Sequence, residues 1–167
     1  MPVGEAPHRE IEQDPGPEAR YELCRLAVAG NERLSVSRLE IDKPGPSYTV
    51  ETLRALRETS PEAELFFIMG ADEAASLPEW KDPEEVLRLA SIAVAEREST
   101  RRDRVHEAVE GLGAGDRVKF FSMPGIAISS SMIRERIASG RPIRYLVPDA
   151  VAEYIERAGL YRAGVAS

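Results

Sequence analysis

The hydrophobic residues of this chain follow two spacings, one typical of β-strands and the other typical of α-helices. Alternating or continuous apolar runs predict four strands, over residues 34–41, 64–69, 91–95 and 117–122. Apolar residues three or four positions apart predict helices, over 18–29, 50–56, 82–90, 100–113, 131–140 and 149–158. Strands that alternate with helices in this way predict an α/β fold, a doubly wound parallel sheet with helices on both faces.

The strand predicted over 64–69 reads ELFFIM, a continuous apolar run typical of a parallel strand buried on both faces. Gly70, Ala71 and Asp72 follow it. In open α/β sheets, ligands bind at the carboxyl ends of the strands. Asp72 is therefore a candidate binding residue, and the alternative is an aspartate that caps the next helix.

Three consecutive hydroxyl residues, Ser129, Ser130 and Ser131, stand between the apolar run 126–128 and a helix pattern that contains Arg134. A serine at the N-cap of a helix accepts a hydrogen bond from a free backbone N–H group. The remaining N–H groups and the helix dipole favour an anion at the same place. The pattern indicates either a phosphate-binding helix start or an ordinary serine-capped surface helix.

Two loops carry the other candidate residues. Residues 43–46 (KPGP) form a predicted turn, and the helix after it begins with Ser47 or Thr49 as the expected N-cap. Trp80, the single tryptophan, stands in a loop before a second helix start, for which Asp82 is the expected cap. A lone tryptophan is more often half-buried in the core than a ring on which a ligand stacks, so both interpretations stay open.

Composition narrows the class of protein. The 167 residues are 43% hydrophobic and 31% charged, which predicts one folded domain over 1–167 with a frayed tail at 163–167. A net charge of −7 argues against non-specific binding of a nucleic acid polymer, which needs a basic surface. Because no apolar run reaches membrane-spanning length and the N-terminus lacks a signal pattern, we expect a cytoplasmic protein without a membrane partner. The sequence leaves the oligomeric state open, a homo-oligomer included.

Motifs that are absent from the sequence exclude some chemistries. Cys24, the single cysteine, cannot form an internal disulfide, which fits a reducing compartment, and its apolar neighbours predict a small buried residue. Neither GxxxxGK nor GxGxxG occurs, which argues against the nucleotide-binding modes that use those loops. The sequence has no Cys/His cluster with metal-ligand spacing, so no metal site within the protein is expected.

Several stretches resemble one family. ISSSMIR is similar to the ISSTxIR signature of the nucleotidyltransferases, and IMGAD, the loop tryptophan, LEIDKPGPSYTVETL and IRYLVPDAVAEYIERAGLY are similar to blocks of bacterial nicotinate-nucleotide adenylyltransferases. The resemblance spans residues 2–161. It implies a Rossmann-like fold and the transfer of AMP from ATP to nicotinate mononucleotide, which gives deamido-NAD and pyrophosphate. The same resemblance implies Mg²⁺ bound together with ATP.

The resemblance also implies roles for individual residues. The expected contacts to ATP are Ile128, Ser129, Ser130, Ser131 and Arg134. The expected contacts to the mononucleotide are Tyr48, Thr49, Asp72 and Trp80, with the tryptophan against the nicotinate ring. Further phosphate contacts are expected from Arg9, in a loop similar to the family's PPHK, and from Arg97, which follows a predicted strand.

The sequence departs from the family pattern at its N-terminus. The family's HxGH motif and its first strand, central in a sheet of order 3-2-1-4-5, have no counterpart, and His8 and His106 do not have the motif's spacing. The catalytic residues are therefore unknown from this sequence. We expect that about 20–30 upstream residues, roughly a strand, a loop and a helix start, would supply them. Without them, we expect the 167 residues to fold poorly and not to catalyse the reaction.

Two other functions remain open. A sister enzyme such as pantetheine-phosphate adenylyltransferase would share the ISSSMIR signature, but the SYT sequence at 47–49 and Trp80 argue against it. A non-catalytic nucleotide-binding remnant of the family is the second alternative, and the absence of HxGH favours it.

Overall fold

The computed structural model describes residues 1–6, 13–96, 102–113 and 115–162. The chain divides into two compact units. The helical unit comprises Met1–Ser47 and Ala127–Ser167, and the sheet unit comprises Tyr48–Ile126. No helix within the described ranges combines the length and the apolar character that crossing a membrane requires. The prediction of a single domain stays a prediction, and its frayed tail at 163–167 lies outside the described residues.

Helices and strands alternate along the middle of the chain, as the hydrophobic pattern predicts. In chain order the elements are α1 (Pro17–Val28), α2 (Thr49–Thr59), β1 (Phe66–Gly70), α3 (Ala71–Ala75), α4 (Pro83–Leu89), β2 (Ser91–Glu96), α5 (Arg102–Glu110), β3 (Val118–Ser122), α6 (Ser130–Ala138) and α7 (Asp149–Arg157). Short 3-10 helices cover Leu77–Glu79 and Gly115–Arg117. The strands predicted over 64–69, 91–95 and 117–122 are confirmed.

The sheet unit contains a parallel sheet of order β1-β2-β3. Phe67 lies opposite Ile92 in β2, and Val94 lies between Met69 and Phe120. Because alternate residues of a strand share a face, these apolar side chains lie on one side of the sheet. They join one hydrophobic cluster with residues from α2, α3, α4 and α5. The parallel sheet with helices around it confirms the predicted α/β class.

The two faces of β1 differ in burial, against the expectation from its continuous apolar run. Met69 is buried and Phe67 is half-buried, whereas Phe66 and Ile68 are 43% and 67% exposed. Within the sheet, β1 is an edge strand bonded to β2 on one side. The prediction of burial on both faces is therefore wrong, because the cluster covers only one face of the strand.

The strand predicted over 34–41 is wrong. This segment has no regular structure up to Arg38 and then turns, with the Ile41 and Asp42 N–H groups donating to the Arg38 carbonyl at 2.8 and 2.9 Å. Alternating apolar and polar residues form a strand only where a neighbouring strand pairs their backbone groups. None of the ladders formed by the described residues includes this segment.

The helical unit is built from α1, α6 and α7, with α1 packed against α7. Ile133 of α6 and Val151 and Ile155 of α7 are buried apolar side chains of this unit. No residue of α1 is buried. Cys24 is accordingly exposed, which corrects the prediction that it is buried. The apolar face of α1 is covered only in part, so its sequence pattern overestimates burial.

An arginine inside the helical unit ties the N-terminal segment to α1. The Arg20 guanidinium donates to the carbonyls of Val3 and Gly4 at 2.7 and 2.8 Å and pairs with Asp14. Gly4 also approaches the backbone closely, since a Cβ at that position would lie 2.2 Å from the Glu40 carbonyl oxygen. No residue other than glycine fits there without moving the backbone.

The predicted cap of α2 is wrong, whereas that of α4 has the predicted position without a capping hydrogen bond. Tyr48 stands at the N-cap position of α2, and no side chain caps that helix. Thr49 is instead its first residue, and the Ser47 hydroxyl lies 3.5 Å from the Glu40 carbonyl. Asp82 does stand at the N-cap position of α4, but it makes no capping bond because its backbone is left-handed, with φ 50°.

Candidate active site

The start of α6 in the helical unit has the serine cap that the sequence predicts. Ser129 is the N-cap residue, with φ −126° and ψ 156°, and its hydroxyl accepts a hydrogen bond from the Met132 N–H at 3.1 Å. The Ile133 N–H bonds to the Ser129 carbonyl at 3.1 Å, which closes the first helical turn. The cap thus fixes the direction in which the next two hydroxyls leave the helix.

Hydroxyl groups and a guanidinium meet on the first turn of α6. Arg134 Nη2 donates to the Ser131 hydroxyl at 3.2 Å. Ser130 and Ser131 are exposed, and Ile128 before them is 41% exposed. Backbone N–H groups at a helix start carry partial positive charge, and the guanidinium adds a full one. This part of the helical unit therefore presents an exposed surface suited to an anion.

A cavity that sequence analysis did not predict adjoins this helix start. It has a volume of about 280 Å³ and a mostly apolar lining from α1, α6, α7 and Tyr161. Ser130 and Arg134 also line it. Burial raises the pKa of the Tyr161 phenol, so Tyr161 stays neutral at physiological pH. Apolar residues from three helices converge here through tertiary packing, which no single motif signals.

The sheet unit carries Tyr48 and Thr49 at the start of α2. The Tyr48 backbone is extended, with φ −100° and ψ 135°, and helical geometry begins at Thr49. The Tyr48 carbonyl accepts hydrogen bonds from the N–H groups of Glu51 and Thr52 at 3.0 and 3.2 Å. These bonds hold the tyrosine at the mouth of the helix, where its ring lies beneath the ammonium of Lys81, 4.2 Å from Nζ to the ring centroid.

Trp80 follows the 3-10 helix Leu77–Glu79 and is held from two sides. Its Nε1 donates to the Ser76 hydroxyl at 3.3 Å. Its ring meets Phe67 of β1 edge-to-face, with centroids 5.9 Å apart and an interplanar angle of 87°. Trp80 is half-buried, so part of the indole remains open to solvent. Tyr48 and Trp80 both pack against the hydrophobic cluster of the sheet unit.

Asp72 stands where the sequence places it, just after the carboxyl end of β1. It lies in the first turn of α3, and Gly70 rather than Asp72 occupies the N-cap position. The alternative interpretation, a helix-capping aspartate, is therefore wrong for this residue. Its side chain is exposed at a strand end, the usual location of ligand sites in parallel sheets.

A buried carboxylate at the end of β2 also escaped prediction. Glu96 is 8% exposed, and its Oε1 accepts a hydrogen bond from Arg102 Nε at 2.6 Å. The hydrogen bond from the guanidinium lowers the pKa of the Glu96 carboxyl below its ordinary value. Arg102 also lies over the Phe120 ring, 5.2 Å from its centroid. The pair joins the end of the central strand to the first turn of α5.

Two of the expected phosphate contacts, Arg9 and Arg97, lie outside the described residues, as does His8. Within the described ranges, no group of three or more His, Cys, Asp or Glu side chains could hold a metal ion. Tyr48, Thr49 and Trp80 all lie in the sheet unit, and the expected ATP contacts lie at the start of α6 in the helical unit.

Comparison with known proteins relates the chain to one enzyme family by sequence. The cytidylyltransferase-like family matches residues 1–136. The chain is 43% identical to a probable nicotinate-nucleotide adenylyltransferase of Tropheryma whipplei (strain Twist) over 163 residues, 98% of this chain and 82% of the relative. It is 44% identical to a protein of the same description from Acidothermus cellulolyticus over 170 residues, which covers 97% of this chain and 78% of that one.

Solved structures agree on the fold. A nicotinic acid mononucleotide adenylyltransferase of Plasmodium falciparum complexed with NaAD superposes with a TM-score of 0.70 at 16% identity, over 95% of this chain and 78% of that chain. The same enzyme complexed with APC superposes with a TM-score of 0.66 at 17% identity, over 88% of this chain and 76% of that chain. At this identity the likeness supports the Rossmann-like nucleotidyltransferase fold alone. Together with the extent and identity of the sequence matches, it leads to one conclusion: the chain belongs to the nicotinate-nucleotide adenylyltransferases of the cytidylyltransferase-like family.

Proposed function

We propose that this protein transfers AMP from ATP to nicotinate mononucleotide, giving deamido-NAD and pyrophosphate. The observation that carries the proposal is the loop tryptophan Trp80, braced by Phe67 and Ser76, in a chain of this family. An indole held in place with part of its surface open suits the flat, electron-poor pyridine of a nicotinate group. The same feature argues against the sister pantetheine-phosphate enzyme, whose acceptor has no aromatic ring.

In this proposal the start of α6 binds ATP through Ile128, Ser129, Ser130, Ser131 and Arg134. The Ser129 oxygen already accepts the Met132 N–H, and the Ser131 oxygen accepts from Arg134, so each hydroxyl hydrogen can still be donated to a phosphate oxygen. The Arg134 guanidinium adds a charge-assisted bond to the same phosphates. Arg9 and Arg97, outside the described residues, remain proposed as further phosphate contacts.

The mononucleotide is proposed to bind the sheet unit through Tyr48, Thr49, Asp72 and Trp80. Trp80 receives the ring, while Tyr48 and Thr49 line it from the start of α2, where the helix dipole favours the negative mononucleotide. Asp72, exposed at the end of β1, is suited to accept a hydrogen bond from a nucleotide hydroxyl or from a water near the phosphates.

The reaction needs positioning and charge stabilisation more than covalent catalysis. A phosphate oxygen of the mononucleotide forms a bond to the α-phosphorus of ATP, the bond from that phosphorus to the bridging oxygen breaks, and pyrophosphate leaves with the electron pair. Mg²⁺ in such reactions is usually held by the nucleotide phosphates with few protein ligands, and when bound it would neutralise phosphate charge. The hydroxyls and Arg134 of the α6 start stabilise the same charge from the protein side.

Separate measurements of binding and turnover test the proposal. Isothermal calorimetry should detect binding of both ATP and nicotinate mononucleotide. Chromatography of the reaction mixture should detect deamido-NAD and pyrophosphate when the protein includes the upstream residues expected to carry the catalytic groups. Binding of both ligands without product, in a protein extended by the upstream residues expected to carry HxGH, would favour the alternative of a non-catalytic nucleotide-binding protein. Binding of phosphopantetheine in place of the mononucleotide would contradict the proposal.

A further inference from the structure

The apolar lining of the cavity beside α6 has no role in the adenylyl transfer proposed above. Aliphatic side chains of three helices form most of it: Leu23 and Ala27 of α1, Ile133 of α6, and Val151 and Ile155 of α7. The volume is about 280 Å³. A methylene group is similar in size to a water molecule, which takes about 30 Å³ of the liquid, so the cavity holds about nine such groups. An apolar pocket with a few polar groups is the usual form of a small-molecule site.

Two of the lining residues are polar, Ser130 and Arg134. Arg134 Nη2 donates to the Ser131 hydroxyl at 3.2 Å, and no carboxylate of the described residues forms an ion pair with this guanidinium. A guanidinium has five N–H donors, which leaves others for a ligand. Because burying a polar group in an apolar lining costs free energy, a sugar or a free phosphate does not suit the cavity. An anionic group attached to an alkyl chain suits both the arginine and the lining.

Tyr161 completes the lining of the cavity, and its side chain is half-buried. Its backbone lies in the left-handed region, with φ 62°, which is uncommon for a bulky residue. The Leu160 N–H donates to the Ile155 carbonyl at 3.0 Å and holds the chain just before this residue. Strained positions persist where the surrounding structure fixes them, and they are frequent at ligand sites. This side of the cavity is therefore formed before a ligand binds.

We propose that this cavity binds the alkyl chain of a small carboxylate whose head group pairs with Arg134, and that this ligand competes with ATP. The inference rests on the proposed function, because Ser130 and Arg134 are also proposed contacts of ATP. A carboxylate forms a charge-assisted hydrogen bond with a guanidinium, roughly twice as strong as a neutral one. It takes the donors that the ATP phosphates need. The start of α6 would then serve both a substrate and an inhibitor.

The limited volume of the cavity predicts how affinity depends on chain length. Each methylene moved from water into the cavity should strengthen binding by up to about fourfold. The gain should end when the cavity is full. Affinity should therefore rise from butanoate through hexanoate to octanoate and level off by dodecanoate. Adsorption to an open apolar surface would instead strengthen with every added methylene.

Cys24 gives a direct readout of occupancy. It is the single cysteine, it is exposed, and it lines the cavity. Octanoate should slow the alkylation of Cys24 by iodoacetamide several-fold, and calorimetry should show that it raises the apparent dissociation constant of ATP. Octanol has the same chain without the charge, so it should bind roughly tenfold more weakly than octanoate.

Two pairs of variants separate the charge from the cavity. Arg134→Met should weaken octanoate roughly tenfold and change octanol by less than about twofold. Arg136→Met is its control, since Arg136 lies on the same helix and donates to the Pro142 carbonyl at 2.9 Å. Ala27→Phe, at an exposed position of α1, should fill the cavity and abolish octanoate binding while ATP still binds. Ala150→Phe, exposed on α7 and outside the lining, is the second control.

Octanoate binding that requires Arg134 and raises the apparent dissociation constant of ATP supports the inference. The octanoate-to-octanol ratio is internal to each variant, so a partly unfolded sample does not distort it. Equal losses in Arg134→Met and Arg136→Met, or octanoate binding without any effect on ATP, would overturn it. Alkylation of Cys24 that slows with protein concentration would mean that a second copy covers the cavity, which also overturns it.

The same measurements separate this inference from the proposed function. A protein that binds ATP but not octanoate overturns the inference and leaves adenylyl transfer in place. A protein that binds octanoate through Arg134 but does not bind ATP overturns the proposed function and the competition, while the carboxylate site itself stands.

Discussion

The sheet unit and the helical unit support their candidate residues by different means. Trp80 of the sheet unit packs on Phe67 and directly follows the 3-10 helix that buries Leu77 completely. The candidate residues of the helical unit are held by bonds within one helix, from Met132 to Ser129 and from Arg134 to Ser131. The first arrangement depends on a large hydrophobic cluster, the second on local capping.

Function and folding stability are therefore coupled more closely in the sheet unit than in the helical unit. A change in the core of the sheet unit should disturb the Trp80 platform, because packed interiors transmit strain. A change at the exposed start of α6 should alter ligand binding with little effect on folding, since its side chains bury little apolar area.

Leu77→Ala should destabilise the sheet unit by about 2–5 kcal/mol, because the side chain is fully buried and its removal leaves a cavity. Urea unfolding followed by Trp80 fluorescence measures the loss, since the single tryptophan lies in this unit. Leu34→Ala is the control. Leu34 is 54% exposed in the helical unit, so its substitution should lower the free energy of unfolding only slightly. Equal losses in the two variants would contradict the contrast.

Arg134→Ala should weaken ATP binding by roughly 1.5–3 kcal/mol, the range for a hydrogen bond to a charged group. Binding of nicotinate mononucleotide should change much less, because Arg134 belongs to the helical unit. Calorimetry with each ligand measures both effects, and Arg136→Ala, on the same helix but bonded to the Pro142 carbonyl, is the control. Equal weakening of the two ligands would mean that Arg134 supports the fold instead.

Trp80→Ala should weaken the binding free energy of nicotinate mononucleotide by about 1–3 kcal/mol, the usual range for a ring stacked on an aromatic side chain. In the wild-type protein, the fluorescence of Trp80 should be quenched by nicotinate mononucleotide and less by the nicotinamide form. Trp80→Phe keeps an aromatic face and should recover part of the affinity. An unchanged affinity in Trp80→Ala would exclude the stacking role.

Acid should remove the contribution of the Glu96–Arg102 pair to folding stability, an effect smaller than those above. The hydrogen bond from Arg102 lowers the folded-state pKa of Glu96 below its ordinary value of 4.5, so the pair stabilises the fold above that pH and its contribution is lost as the pH falls below it. Glu96→Gln should therefore lose less thermal stability between pH 7 and pH 3 than the wild type, as measured by circular dichroism.

The helical unit supplies the comparison for this pH effect. The pKa of Glu18 is also lowered by its hydrogen bond to Arg38, but Glu18 is 69% exposed. Solvent and salt screen such a pair, so Glu18→Gln should change the pH dependence less than Glu96→Gln. A larger effect at Glu18 would show that burial does not separate the two units in this respect.

The sequence by itself determined the local features of this protein. Hydrophobic spacing predicted β1, β2 and β3 and every α-helix except α3, and the Ser129 cap followed from hydroxyl chemistry at a helix start. The family signature in ISSSMIR was equally local. These predictions held because each depends on residues a few positions apart, whose interactions are set by backbone geometry.

Features that depend on residues distant in the chain followed from tertiary packing. The segment over 34–41 alternates like a strand but has no paired strand among the described residues, and β1 has one face exposed although its sequence is apolar throughout. The contact of Lys81 with Tyr48 and the burial of Glu96 against Arg102 had no sequence signal. Burial and pairing are properties of what the fold brings alongside a residue, and spacing within one segment carries no information about that neighbour.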